Sequence, residues 1–260
     1  FNYVRNISIS KTLKVKTKEL KTQSVTKALI KKEFKLLTKN SDYSFSYLGL
    51  LVVQPLLAFL VIKALNTIFT TGVFAYYISV LPNFLPLLDV LILMFFTLII
   101  NQGANQYIQM EKKTIKLMKS IPVKFSKQII IKVSIPFVLS FTSFFITLIS
   151  LLIGRVIKLD VFFFDLLLVT ITLFTYEVVS LKEELSIRNH KPRSTFVSNV
   201  YAYLLPVLYF CITAILSYFS LHLYFAFLIG FVVLLGICIP NTIHIKKNVN
   251  RLFMDLDVIN

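Results

Sequence analysis

Apolar residues in this chain run in long blocks separated by short basic segments. From Thr26 to Asn40, Lys27, Lys31, Lys35 and Lys39 recur every four residues, while Ile30, Phe34 and Leu37 form a separate apolar stripe. That period predicts an amphipathic helix over 26–40. It either lies at a membrane surface with its lysines toward lipid phosphates or is a solvated helix; the apolar block that follows at once favours the first. Six apolar blocks come next, at 47–68, 81–101, 129–153, 161–181, 200–219 and 221–239. Each is near the roughly 20 residues needed to cross a bilayer. The last two are joined by almost nothing, so they are either two full crossings or a re-entrant pair. The expected fold is all-α and polytopic, with about six transmembrane helices and an N-terminal interfacial helix. Residues 1–25 read as a basic lead-in or linker, 41–240 as the transmembrane domain and 241–260 as a tail.

The segment Asn105–Gln128 is a polar, basic island between the second and third blocks. Lys112, Lys116 and Lys119 fall on one helical face, and Met110, Leu117, Met118 and Ile121 on the other. This predicts a short amphipathic helix that Pro122 ends.

Composition agrees with membrane insertion. The chain of 260 residues is 57% hydrophobic and 15% charged, with mean hydropathy +0.78; a soluble domain carries about 25% charged residues. The net charge of +16 is concentrated between the apolar blocks, which argues against a nucleic-acid binder and for loops beside an anionic membrane surface. With the N-terminus cytosolic, the inside segments hold Arg5, ten lysines from Lys11 to Lys39, seven from Lys112 to Lys132, then Lys182, Arg188, Lys191, Arg193, Lys246, Lys247 and Arg251. Lys63, Arg155 and Lys158 alone lie toward the outside. The positive-inside rule therefore predicts a multi-pass cell-membrane protein with both termini cytoplasmic. The outer segments are short, which leaves no room for a sizeable extracellular domain. The chain begins at Phe1 rather than Met and shows no cleavable signal peptide, so it reads as trimmed or as the later part of a longer polypeptide. Cys211 and Cys238 sit inside apolar blocks and read as packing residues.

The basic island resembles the permease subunits of type-2 ABC exporters. That family carries an amphipathic basic helix after its second span, with an acidic–basic start and a core of leucine, lysine, an apolar residue, proline and a second apolar residue. Glu111, Lys112, Leu117, Lys119, Ile121, Pro122 and Val123 match it, and Lys116 lies within the same helix. The run from Leu29 to Lys35 is similar to the family's helix before the first span. The resemblance implies a cytosolic coupling helix that seats in a groove of an ABC ATPase subunit or domain and transmits its closure. It also implies pairing with a second permease half or a second copy, and ATP-Mg held by the ATPase rather than by this chain. The alternative for this helix is a segment that rests on lipid headgroups.

Candidate chemistry is sparse. A phosphate-cradling loop needs a glycine-rich turn ending in Gly-Lys-Ser/Thr, and none of the six glycines precedes a lysine. His190, His222 and His244 lack zinc-site spacing. Glu183, Glu184 and Arg188 fit the paired-glutamate pattern of intramembrane CAAX-type proteases, without that family's histidine partner motif. Intramembrane charges point more directly to function. Lys63 and Asp89 fall at matching depths and either pair inside the bundle, or Lys63 snorkels outward while Asp89 caps a bent helix start after Pro86. Glu177 is placed to meet Lys132 or Lys127, and Asp165 lies near enough to the outer interface to be solvated. Phe162 to Phe164 read as an interfacial belt, and Tyr201, Tyr203, Tyr209 and Phe210 as core packing, lipid contact or a substrate path. The basic loop from Arg188 to Arg193 is either solvated or a second ATPase contact. The reading that results is a permease without catalytic, cofactor or metal residues of its own, moving a hydrophobic or amphipathic cargo. An intramembrane protease and a non-transporting assembly factor are the alternatives.

Overall fold

In the computed structural model, the chain is described over residues 24–39, 41–71, 75–76, 83–100, 115–186, 196–219 and 222–254. These form helices α1 (Val25–Lys39), α2 (Ser41–Thr70), α3 (Phe84–Ile100), α4 (Ile115–Ser120), α5 (Phe125–Ile153), α6 (Leu159–Ser186), α7 (Phe196–Tyr218) and α8 (Leu223–Met254). No strand occurs among the described residues. Five helices, α2, α5, α6, α7 and α8, are long and apolar enough to cross a membrane, the pattern of a multi-pass membrane protein. The second apolar block gives the shorter α3. At ~1.5 Å per residue its 17 residues reach about 26 Å, just under the hydrocarbon thickness of about 30 Å. The 32 residues of α8 run far past that thickness and carry Lys246, Lys247 and Arg251 on their last turns.

α6 packs against α8, α2 against α5, and α3 against α7; α6 also touches α3, α5 and α7 and so stands at the centre. The main core joins Ile62 of α2, Leu93 of α3, Phe144 of α5, Val169 of α6, Leu205 of α7 and Phe227 of α8. Large apolar side chains also cover the outside, with Phe45, Val52, Ile130 and Val232 mostly exposed. An apolar exterior is stable where the surroundings are hydrocarbon rather than water. Pro55, Pro136, Pro206 and Pro240 sit inside long helices, a placement that membrane-spanning helices tolerate better than soluble ones.

α1 lies within one residue of the bounds its lysine period predicts, but its packed face differs from the expected stripe. Leu29, Glu33 and Leu37 are buried, whereas Ile30 and Phe34 are exposed beside the lysines. Spacing of four brings Leu29, Glu33 and Leu37 onto one line, which lies against α2 and α5. Within that line Glu33 Oε2 accepts from Lys132 Nζ of α5 at 2.9 Å, with both side chains almost wholly buried. Lys32 Nζ lies 3.6 Å from the other carboxylate oxygen. α1 is thus held to the bundle by an ion pair set between two leucines.

Asp165 is fully buried, contrary to its expected solvation. It shares the inner face of α6 with Val161, Leu168 and Val169, so its face rather than its depth decides its exposure. Among the described residues neither carboxyl oxygen has a hydrogen-bond partner. Phe162 is likewise buried and Phe163 exposed, which splits the expected aromatic belt between core and surface. Tyr209 is buried against Gly230, where an added Cβ would lie 2.4 Å from the ring.

Two consequences are measurable as thermal unfolding in detergent. Lys132→Ala leaves Glu33 buried without its cation and should cost about 3–5 kcal/mol, whereas the paired replacement Glu33→Leu with Lys132→Met should restore most of it. Gly230→Ala should cost about 1–3 kcal/mol by displacing Tyr209, while Gly236→Ala, with open space around it, should leave the midpoint unchanged.

Candidate functional site

The basic end of the bundle carries the described part of the predicted coupling segment, with Met118, Lys119, Ile121, Pro122 and Val123. α4 is a single short helix that stops before Pro122. Glu111 and Lys112 lie outside the described residues, and so do the side chains of Lys116 and Leu117. The visible part turns back onto the bundle. Met118, expected on a face offered to a partner, is instead buried in this chain's own core. It packs among Ile129 of α5, Val178, Leu181 and Leu185 of α6, and Ile245, Val249 and Phe253 of α8. The reason is geometric: the turn at Ser120–Val123 is short, so the apolar side of α4 meets the long ends of α6 and α8 before it can face outward.

Polar contacts tie the same elements. Gln128 Nε2 donates to the Val123 carbonyl at 2.9 Å and reaches the Met118 carbonyl at 3.5 Å, closing the turn. Lys119 Nζ donates to the Met254 carbonyl at 2.9 Å, at the last residue of α8. A cation at a helix C-terminus is favoured by the backbone dipoles there. Lys182 of α6 donates to Asn241 of α8 at 3.2 Å. Phe125 lies 4.4 Å from Phe253, centroid to centroid. Pro122 is exposed, and Ile121 and Val123 are half-buried. The segment from α4 to the start of α5 is therefore fixed to three long helices and presents Pro122 outward.

Lys63 and Asp89 do not form an ion pair. Asp89 is buried and its two carboxylate oxygens accept from Asn66 Nδ2 at 3.3 and 3.2 Å. Lys63 is exposed, with its ammonium 5.6 Å from the centre of the Phe59 ring. Nor does Asp89 cap α3, because Asn83, with φ of 62°, precedes the first turn and Asp89 falls in the second. Both residues line one cleft at the end of the bundle away from α1. Glu33, Gln128 and Asn66, which organise these two ends, were not singled out by sequence reasoning. The usable signal was Glu33 in register with Leu29 and Leu37 on an otherwise basic helix.

Glu183 Oε1 accepts the amide of Val197 at 3.0 Å, which gives it a capping task at the start of α7. Glu184 is buried, and Arg188 and the basic loop through Arg193 lie outside the described residues. Among the described residues no group of three or more His, Cys, Asp or Glu is placed to hold a metal ion. No family model, no curated protein and no solved structure matches this chain.

The closure of the turn by Gln128 has a direct readout. Gln128→Ala removes both amide contacts, and cleavage by trypsin after Lys119 and Lys124 should then accelerate about 5- to 30-fold, as expected for 1–2 kcal/mol of lost local stability. An unchanged cleavage rate would show that Met118 packing alone holds the segment.

Proposed function

We propose that this chain is the membrane-spanning permease component of an ATP-binding cassette exporter. Six helices cross the bilayer, α3 included, and the α1 end faces the cytosol. α1 lies at the inner interface, with Ile30 and Phe34 toward lipid and Lys27, Lys31 and Lys35 toward headgroups. A separate ATPase subunit or domain binds ATP-Mg and docks on the basic segment around Pro122. A second permease half or second copy completes the translocation path.

The observation that supports this reading is the attachment of the basic segment to three spans at once. Met118 is buried among α5, α6 and α8, and Lys119 holds the end of α8. A docked ATPase that shifts this segment moves all three spans, which is what conversion of ATP-driven closure into alternating access requires. A segment resting only on headgroups would have no need of these contacts.

The test is a photocrosslinker placed at Pro122, which is exposed, and not at Met118, which is buried in the chain itself. Adducts to an ATP hydrolase are expected from native membranes, and Leu117→Asp should abolish them and the coupled ATPase stimulation while the protein remains folded. Adducts to lipid alone, with no ATPase co-purifying, would overturn the reading.

A further inference from the structure

Among the described residues, three lysines and arginines, Lys63, Arg155 and Lys158, belong to the end of the bundle away from α1. The fold brings all three to one cleft of about 660 Å³ between α2, α3, the α5–α6 turn and the start of α8. That volume is in the range of small-molecule sites. Asp89 and Asn66 line the same cleft from its α3 and α2 sides. Charges this scarce would scatter if they served only to anchor helix ends at an interface.

Two features mark the cleft as built for a ligand. The first is that no ion pair joins its opposite charges among the described residues, although Lys158 acts on Asp160 through space. Lys63 lies over Phe59, and Asp89 has Asn66 as its donor. Asn66 Oδ1 is itself buried, with no donor among the described residues. Three acceptor oxygens thus belong to two bonded side chains of the cleft, and a group with several N–H donors would satisfy them, as an ammonium does. The other acid of the cleft, Asp160, is already engaged by the Tyr224 hydroxyl, and the Tyr224 ring stacks on Phe164.

The second feature is Arg155. α5 ends with Gly154 N–H bonded to Ser150 O and Val156 N–H bonded to Leu151 O, and Arg155 between them has φ of 54°. This position after a helix normally takes glycine, which has no Cβ to strain. A strained non-glycine residue at a cleft is an observation from which function can be inferred.

We propose that this cleft binds a zwitterionic headgroup in which a phosphate lies next to a primary ammonium. Arg155, Lys158 and Lys63 take the phosphate, and Asp89 with Asn66 takes the ammonium. The charge count fits: three cations face the phosphate, and the one acid not engaged by a tyrosine faces the amine. With the α1 end cytosolic, as proposed above, the cleft opens at the outer face of the membrane. The proposal rests on that reading for its sidedness alone.

The test is native mass spectrometry of the detergent-solubilised protein titrated with phosphatidylethanolamine, phosphatidylglycerol and phosphatidylcholine. Phosphatidylethanolamine should bind about 10-fold more tightly than the other two, since one lacks the amine and the other its N–H donors. Asp89→Asn should erase that preference. Arg155→Gly should weaken phosphatidylethanolamine about 10-fold while leaving the thermal midpoint equal or higher, because glycine relaxes the turn. Soluble phosphoethanolamine separates the sources: displacement of the lipid assigns the ligand to a headgroup free in water, and retention assigns it to the bilayer; either supports the site. Equal retention of all three lipids by the unaltered protein, or unchanged binding by Arg155→Gly, would overturn it. The binding is read on this chain alone, so such a result would leave the ATPase-docking reading standing.

Discussion

Glu33 and Lys132 bring opposite charges to 2.9 Å at a place where neither side chain reaches solvent. A pair of this kind contributes little net stability, because desolvation offsets much of the attraction, but it is costly to break. Its consequence is therefore positional. It sets α1 against α5 in one register, since a slip of one residue would strand both charges. Several other polar side chains at that end also find partners on neighbouring elements. Gln128 closes the turn after α4, Lys119 reaches the end of α8, and Lys182 reaches Asn241. Apolar packing around Met118 fills the space between them.

The opposite end follows a different logic. There the charged groups share a cleft in which no direct ion pair forms, and a strained Arg155 stands where glycine is usual. In a low-dielectric surrounding, separated opposite charges are expensive unless something brings donors and acceptors to them. The two ends thus differ: one is closed by contacts between helices, and the other opens as a cleft lined by charges that form no direct ion pair. That difference fits a component driven from one side and offering a binding surface on the other.

Much of the architecture was legible in the pattern of apolar and basic residues. The lysine period marked α1 within one residue of its bounds, and each apolar block became one helix. The pattern carries helices because an uninterrupted apolar run has to satisfy its backbone internally. It does not carry which side of a helix meets which neighbour. Asp165 lies on a buried face and not on the solvated one that its place in the block suggests, since exposure follows from packing. Met118 was assigned to a partner because amphipathicity says that a face will be buried, not against what. The Glu33–Lys132 pair spans 99 positions in the chain and has no local signature beyond an acid aligned with two leucines. Lys63 and Asp89 were matched by depth, yet they sit around the cleft rather than against each other.

The central claim is mechanical: the segment from α4 to Val123 and the ends of α5, α6 and α8 form one block. It is tested most directly by spin labels at Pro122 and Lys246, both exposed, with Cys211 and Cys238 replaced so that no native thiol reacts. Distances would be measured by pulsed electron resonance in nanodiscs, before and after Gln128→Ala. A single narrow distance in the unaltered protein, broadened by the substitution, is the expected result. A broad distribution already present in the unaltered protein would contradict the block and remove the physical basis for a lever.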